Sequence, residues 1–185
     1  MLAMYRSPLI PDLPKLQNVI EPFVDESLDG YLLRAANQNG LNGLRELLRP
    51  IPGYSTQRCT VTSLHNIATI VGQPEPVLKA LSSSRLNTQS ALHDRFYRMS
   101  YTPVCPCCIQ EHGYSKLIWQ HVFVTACPDH NVRLVDRCDD CGTRIVKDRV
   151  LLSKCECGRD FSEIKTEKIG DAERWYNLRL AGRLD

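Results

Sequence analysis

The chain has 185 residues, 43% of them hydrophobic and 24% charged, a balance that supports a folded core and excludes wholesale disorder. Its formal net charge is +2, with 10 Lys and Arg against 8 Asp and Glu through Ser100 and 13 against 13 beyond it. Neither half is a basic block of the kind that holds nucleic acid by charge alone. No run approaches the ~18 apolar residues of a membrane helix, and Met1 to Pro11 lacks a signal-peptide pattern, so a cytoplasmic protein is expected and its nine cysteines need an explanation other than disulfides.

The chain opens on Pro8, Pro11, Pro14 and Pro22, which predict an extended arm over residues 1–25 whose apolar Tyr5, Leu9, Ile10 and Leu13 lie on a surface. A helix is predicted from the N-cap Ser27, with Leu28, Tyr31, Leu32, Ala35 and Ala36 on one stripe and Asn39-Gly40 at its end. A short second helix carries Leu41, Leu44, Leu47 and Leu48 and stops at Pro50-Ile51-Pro52-Gly53. Thr62 and Ser63 are the cap candidates of a third, with Leu64, Ile67, Ala68 and Val71 on one face. A fourth starts near Pro74 or Pro76 and carries Val77, Leu78 and Leu81. The order Ala68, Gly72, Leu78 is that of a helix-turn-helix. From Tyr101 the pattern changes to cysteine pairs between short segments, with Ile118, Val122 and Val124 at strand spacing. A final helix spans Ile169 to Leu184, with Ile169, Ala172, Tyr176 and Leu180 on one face and Trp175 beside them. The expected architecture is a small α+β chain: arm 1–25, helical helix-turn-helix domain 26–100, two zinc-ribbon or zinc-finger modules over 101–165, and a C-terminal helix over 166–185.

Four knuckles carry the chemistry: Cys105-Pro106-Cys107-Cys108, Cys127-Pro128-Asp129-His130, Cys138-Asp139-Asp140-Cys141 and Cys155-Glu156-Cys157. One or two residues between donors let a tight turn aim both at one ion, and Zn²⁺ completes its tetrahedron with a second such pair. Pairing consecutive knuckles gives Cys105, Cys108, Cys127 and His130 as one site and Cys138, Cys141, Cys155 and Cys157 as another. Spacing alone also admits an interleaved pairing, and Cys107 in place of Cys105 or Cys108. Two full, sulfur-rich sites predict two structural Zn²⁺ ions rather than a catalytic metal with an open position. Cys59 stands alone, and His65, His93, His112 and His121 read as surface or packing residues. No nucleophilic triad and no phosphate loop is recoverable, so an enzyme is not expected.

The knuckles and their flanks, Glu111-His112-Gly113-Tyr114, Trp119-Gln120, Thr125-Ala126, Leu134-Val135-Asp136-Arg137 and Gly158-Arg159-Asp160, resemble the TniQ proteins. Glu26-Ser27-Leu28, Arg34-Ala35-Ala36 and Asn39-Gly40-Leu41 are similar to that family's opening helix. The resemblance implies a target-selection adaptor of DNA transposition that joins a target-recognition element to an AAA+ ATPase regulator. The short length resembles the members associated with CRISPR effectors, in which an RNA-guided complex finds the DNA.

A non-enzymatic bridging protein is therefore the leading expectation. The expected partners are the AAA+ regulator, a CRISPR effector complex or another target selector, and target DNA with or without guide RNA, with no membrane. Tyr5 and Leu9 of the arm and Trp175 and Tyr176 of the last helix are the expected protein contacts, since aromatics anchor interfaces. The alternative is direct target-site recognition through the helix-turn-helix and zinc fingers. Lys79 and Arg85 would then face the nucleic acid, and Arg45, Arg49, Arg58, Arg95 and Arg98 its phosphates. A zinc hydrolase is the third class, and it predicts activity lost with metal while the fold persists.

Overall fold

Ser27 is extended at φ −80° and its Oγ accepts from Gly30 N at 3.1 Å, which starts helix α1 (Leu28–Gln38) at the expected residue. In the computed structural model the described residues are 12–51, 61–82, 96–98 and 100–182, with the backbone alone at 61–63. Helices α2 (Leu44–Leu48), α3 (Val61–Val71) and α4 (Glu75–Leu81) follow, and their apolar faces meet that of α1. Tyr31, Leu32, Leu44, Leu47, Ile67, Val71 and Leu78 are buried together. Each fully buried Leu of this set contributes about 1.5–3 kcal/mol of transfer free energy. The backbone is already helical at Val61, so Thr62 and Ser63 lie inside α3 instead of capping it. Leu41 precedes α2 and packs against the core from outside the helix.

Of the arm, Leu13 is buried and Leu16 and Ile20 pack on the same core, with Leu16 N donating to Ile70 O at 2.8 Å. This stretch therefore covers its own helices. Tyr5 and Leu9 lie outside the described residues, as do Arg58, Cys59, Arg85, His93 and Arg95.

A second core gathers Val104, Ile109, Trp119, Val124, Val132, Ile145, Phe161 and Ile164 around the cysteines. Its elements are α5 (Pro106–His112), a 3-10 turn at Leu117–Gln120, an antiparallel pair β1 (Ala126–Cys127) and β2 (Val132–Arg133), a 3-10 turn at Phe161–Glu163 and α6 (Asp171–Leu180). The strand expected at Ile118, Val122 and Val124 is not formed: Ile118 sits in the 3-10 turn. The Arg98 guanidinium donates to the carbonyls of Trp119, His121, Val122 and Val124. Those carbonyls converge on one cation, and among the described residues pairing here is limited to a single antiparallel bridge between Tyr97 and His121. Helix α5 carries no sequence stripe. Pro106 opens it and Gly113 closes it at φ +66°.

The two cores meet along a polar seam. Residues 25–27 pair with 115–117: Ser27 N donates to Ser115 O and Leu117 N to Asp25 O, both at 2.8 Å. Asn37 donates to Val150 O at 2.8 Å and accepts from Leu152 N at 3.1 Å, and Leu152 inserts into the helical core. Asp29, at the start of α1, accepts from Gln120 and Thr102 and lies 3.7 Å from Lys147. Buried Arg149 donates to Leu152 O, Val146 O and Ser115 Oγ. Burial lowers its pKa to about 10, which still leaves the guanidinium charged at neutral pH. The chain is thus small and α-rich with a single two-stranded sheet among the described residues, and none of its described helices is long and apolar enough to cross a membrane.

Candidate metal centres

The first cluster is built by two turns. Cys105 is the N-cap of α5 and Cys108 lies in its first turn, so the helix start aims both sulfurs the same way. Cys127 ends β1, and the turn to β2 returns on itself through Asn131, whose N donates to Cys127 O at 2.9 Å and whose φ is +55°. That turn puts His130 opposite the helix. Cys108 Sγ lies 3.6 Å from Cys127 Sγ, and His130 Nδ1 lies 3.6, 3.3 and 3.5 Å from the sulfurs of Cys105, Cys108 and Cys127. Zinc–sulfur bonds of about 2.3 Å and zinc–nitrogen bonds of about 2.0–2.1 Å give tetrahedral edges of about 3.8 Å and about 3.6 Å respectively. The cage fits the ion to within a few tenths of an ångström.

The second cluster joins the turns at Cys138–Gly142 and Cys155–Gly158, in which Gly142 N donates to Cys138 O and Gly158 N to Cys155 O. Cys138 and Cys157 are 3.6 Å apart, as are Cys141 and Cys155. In each cluster all four donor atoms lie within 4.8 Å of one another, so both groups can hold a metal ion. The structure assembles consecutive knuckles rather than interleaved ones, and Cys107 is in neither group. The first cluster is buried in the second core, whereas Cys141 and Cys157 are exposed.

Crowding the thiols together has an electrostatic consequence. Hydrogen bonds from Cys105 and Cys108 hold the Cys127 thiol far below its ordinary range. Hydrogen bonds with Cys105 and Cys127 push Cys108 up, and for Cys105 the lowering contact from Cys108 is outweighed by Cys127 and burial, so that thiol rises to about 12. In the second cluster, hydrogen bonds from Thr143 lower Cys141 to about 6, while burial raises Cys155 to about 12. Neighbouring thiols within a cluster thus oppose one another's ionisation, an opposition that a cation between them relieves.

Side chains outside the donor set orient it. His130 Nε2 lies 2.9 Å from Glu111 Oε2, which fixes the ring with Nδ1 toward the sulfurs. Lys116 Nζ reaches Asp129, inside the Cys127–His130 knuckle, at 3.0 Å and Asp25, on the seam, at 3.1 Å. Burial works against the Lys116 charge, but the two carboxylates outweigh it and hold the ammonium above the ordinary lysine range. Burial likewise raises Asp25, and hydrogen bonds from Tyr114 and Lys116 outweigh it, so its carboxyl stays below the usual carboxylate range. Arg159 does the equivalent at the second cluster: its guanidinium takes Asp139, inside the facing knuckle, at 3.0 and 3.1 Å. Sequence reading assigned no role to Glu111, Lys116, Asp129, Asp139 or Arg159. Their proximity to the knuckles was the available signal.

The other expected contacts lie apart from the clusters. Trp175 and Tyr176 are 55% and 44% exposed: of the expected stripe Leu180 packs on the second core, but Ala172 and Tyr176 face outward and Asn177 is the buried residue of α6. Lys79 is exposed on α4. Of the arginines expected on phosphates, Arg45 pairs with Asp148 at 3.0 Å, and Arg98 is committed to the four carbonyls already described. His65 contacts Glu75 and His112 lies 3.8 Å from Glu111, while His121 stacks among Phe96, Tyr97 and Phe123.

The TniQ family model matches residues 19–134, from the packed arm through both knuckles of the first cluster. No curated protein matches the chain significantly.

Proposed function

The chain belongs to the TniQ family, non-catalytic accessory proteins with a role in selecting the target of transposition, and from that premise we propose that it is an adaptor. It bridges a target-recognition complex, one guided by RNA, to an AAA+ transposition regulator in the cytoplasm, and it is not an enzyme. Each cluster holds one Zn²⁺ ion, Cys105, Cys108, Cys127 and His130 binding the first and Cys138, Cys141, Cys155 and Cys157 the second. When bound, zinc supplies cross-linking: four saturated donors leave no position for an activated water, so both ions act on the fold.

The observation that carries this reading is the pair of closed four-donor cages in a chain of this family. The reading divides the chain into arm 1–25, helices 26–100, double zinc finger 101–165 and terminal helix 166–185. In it the α3–α4 pair is a helix-turn-helix used for packing, and exposed Trp175 and Tyr176 are protein contacts. Direct recognition of DNA finds less support, since α4 presents Lys79 without a second described cation and Arg98 is engaged internally. Co-purification with an AAA+ transposition regulator, with and without nucleotide and DNA, tests the role. Association is expected in at least one condition. Failure in every condition, or tight salt-dependent binding of naked duplex by the chain alone, sinks the bridging role.

A further inference from the structure

The charged group of Lys116 touches both a metal knuckle and the entry to α1. Its side chain is 9% exposed, and the ammonium spans Asp25 at 3.1 Å and Asp129 at 3.0 Å. Both ends of that bridge are held by backbone. Glu26 pairs with Lys116 across an antiparallel bridge, flanked by the hydrogen bonds from Leu117 N to Asp25 O and from Ser27 N to Ser115 O. At the far end, Asp129 stands between the donors Cys127 and His130, whose turn is closed by Asn131 N on Cys127 O. Asp25 also accepts from Tyr114 at 2.5 Å, and the Tyr114 ring stacks on Phe23 at 4.4 Å.

We infer that Lys116 couples metal occupancy of the first cluster to the docking of α1 on the zinc-binding half. The Lys116 side chain is largely buried and its ammonium is shared between two carboxylates, so losing either leaves it held from one side only and releases the link between knuckle and helix. When the ion holds Cys127 and His130, Asp129 is presented to Lys116, and Lys116 is positioned to hold Asp25 and the first turn of α1. When the knuckle opens, Asp129 leaves, and the pairing of residues 25–27 with 115–117 loses its side-chain support. Coupling of this kind is reciprocal: the seam must also favour the ion. Lys116 is thus a positioning residue that touches no donor atom. The inference rests on the first cluster binding zinc.

The test uses the full zinc-loaded chain. Zinc affinity is read by competition with a chromogenic chelator, and hydrogen exchange is followed over residues 24–33 and 127–133. Lys116→Met is expected to weaken one of the two zinc equivalents by about tenfold, the usual effect of removing an outer partner of a metal site. It should speed exchange in both segments together while leaving 138–158 unchanged. Asp129→Asn removes the other end of the contact and carries the test if the lysine variant does not fold. The double variant should be no worse than the more severe single one. Additive losses, unchanged zinc affinity in the single variants, or faster exchange confined to one segment overturns the coupling. A wild-type chain binding fewer than two zinc equivalents overturns the metal reading instead, and the two failures are distinct.

Discussion

Gly43 sits where two parts of the chain touch backbone to backbone. At φ +83° and ψ −168° it occupies a region essentially reserved for glycine, and a Cβ there would lie 2.5 Å from Arg149 O and 3.2 Å from Val150 Cα. Gly40 has a comparable φ of +73° but nothing within 4 Å of its Cβ position. Gly40→Ala meets backbone strain alone and should cost about 1 kcal/mol, whereas Gly43→Ala adds a collision to its own strain and should cost at least about 2–3 kcal/mol, read from urea denaturation of the zinc-loaded chain. Equal effects would mean that the close approach of α2 to residues 149–150 is relieved at little cost. Tyr114 offers a residue-scale test of the seam. Burial and the Asp25 carboxylate raise its phenol from 10.0 to about 12. An acid raised on folding keeps its proton while the unfolded chain loses it, so its stabilising effect is complete below pH 10 and falls away as pH rises toward 12. Absorbance titration of the tyrosines should show Tyr114 ionising earlier in Asp25→Asn than in the wild type.

At the scale of elements, α6 shows how a helix is held without an apolar stripe. Asn177 is 1% exposed; its Oδ1 accepts from Thr125 N at 3.1 Å and Ala126 N at 3.2 Å, and its Nδ2 donates to Glu173 O. Asn177→Ala strands two backbone donors beside β1 and should destabilise the zinc-loaded chain by about 1–3 kcal/mol with both zinc equivalents retained. A neutral effect in thermal denaturation would show that α6 is held elsewhere. The same contact explains why the sequence misplaced this helix's face: periodicity sees apolar side chains, and the anchor is an amide bonded to a strand 51 residues away in the chain. Helix α1 was legible because cap and stripe are local properties of Ser27 through Ala36. The metal donors were legible as knuckles, because a spacing of one or two residues fixes which side chains share a turn; how the knuckles pair is decided by β1, β2 and α5, which only the fold brings together. Helix α5 stayed hidden since two of its inward positions are Cys108 and the cap Cys105, read as ligands rather than as a helical face. Lys116 and Asp129 were silent because nothing in a charge pattern marks a pair that closes only across a buried seam.

For the whole molecule, the two cores differ in what sustains them. The helical core is closed by leucine, isoleucine and valine contacts, whereas Cys105, Cys108 and Cys127 are members of the second core as well as metal donors. Structural zinc sites supply roughly 10 kcal/mol or more of folding free energy, comparable with a domain's entire stability of about 5–15 kcal/mol. Removing the ions should therefore collapse the second core rather than loosen it, and tryptophan reports the difference. The chain has two: Trp175 is already 55% exposed, so a change in emission must come from Trp119, which is fully buried. Titration with a strong chelator should shift emission to the red in step with zinc release. Far-ultraviolet circular dichroism should fall by more than the loss of α5 and α6 explains, because Leu152 leaves the helical core and Asn37, Asp29 and Asp25 lose their partners across the seam. Zinc release with Trp119 emission unchanged would mean that packing alone holds the second core and that the ions have some other task. Retention of the full helical signal after the red shift would place the boundary of cooperativity at the seam, and the helical half would then stand without its neighbour.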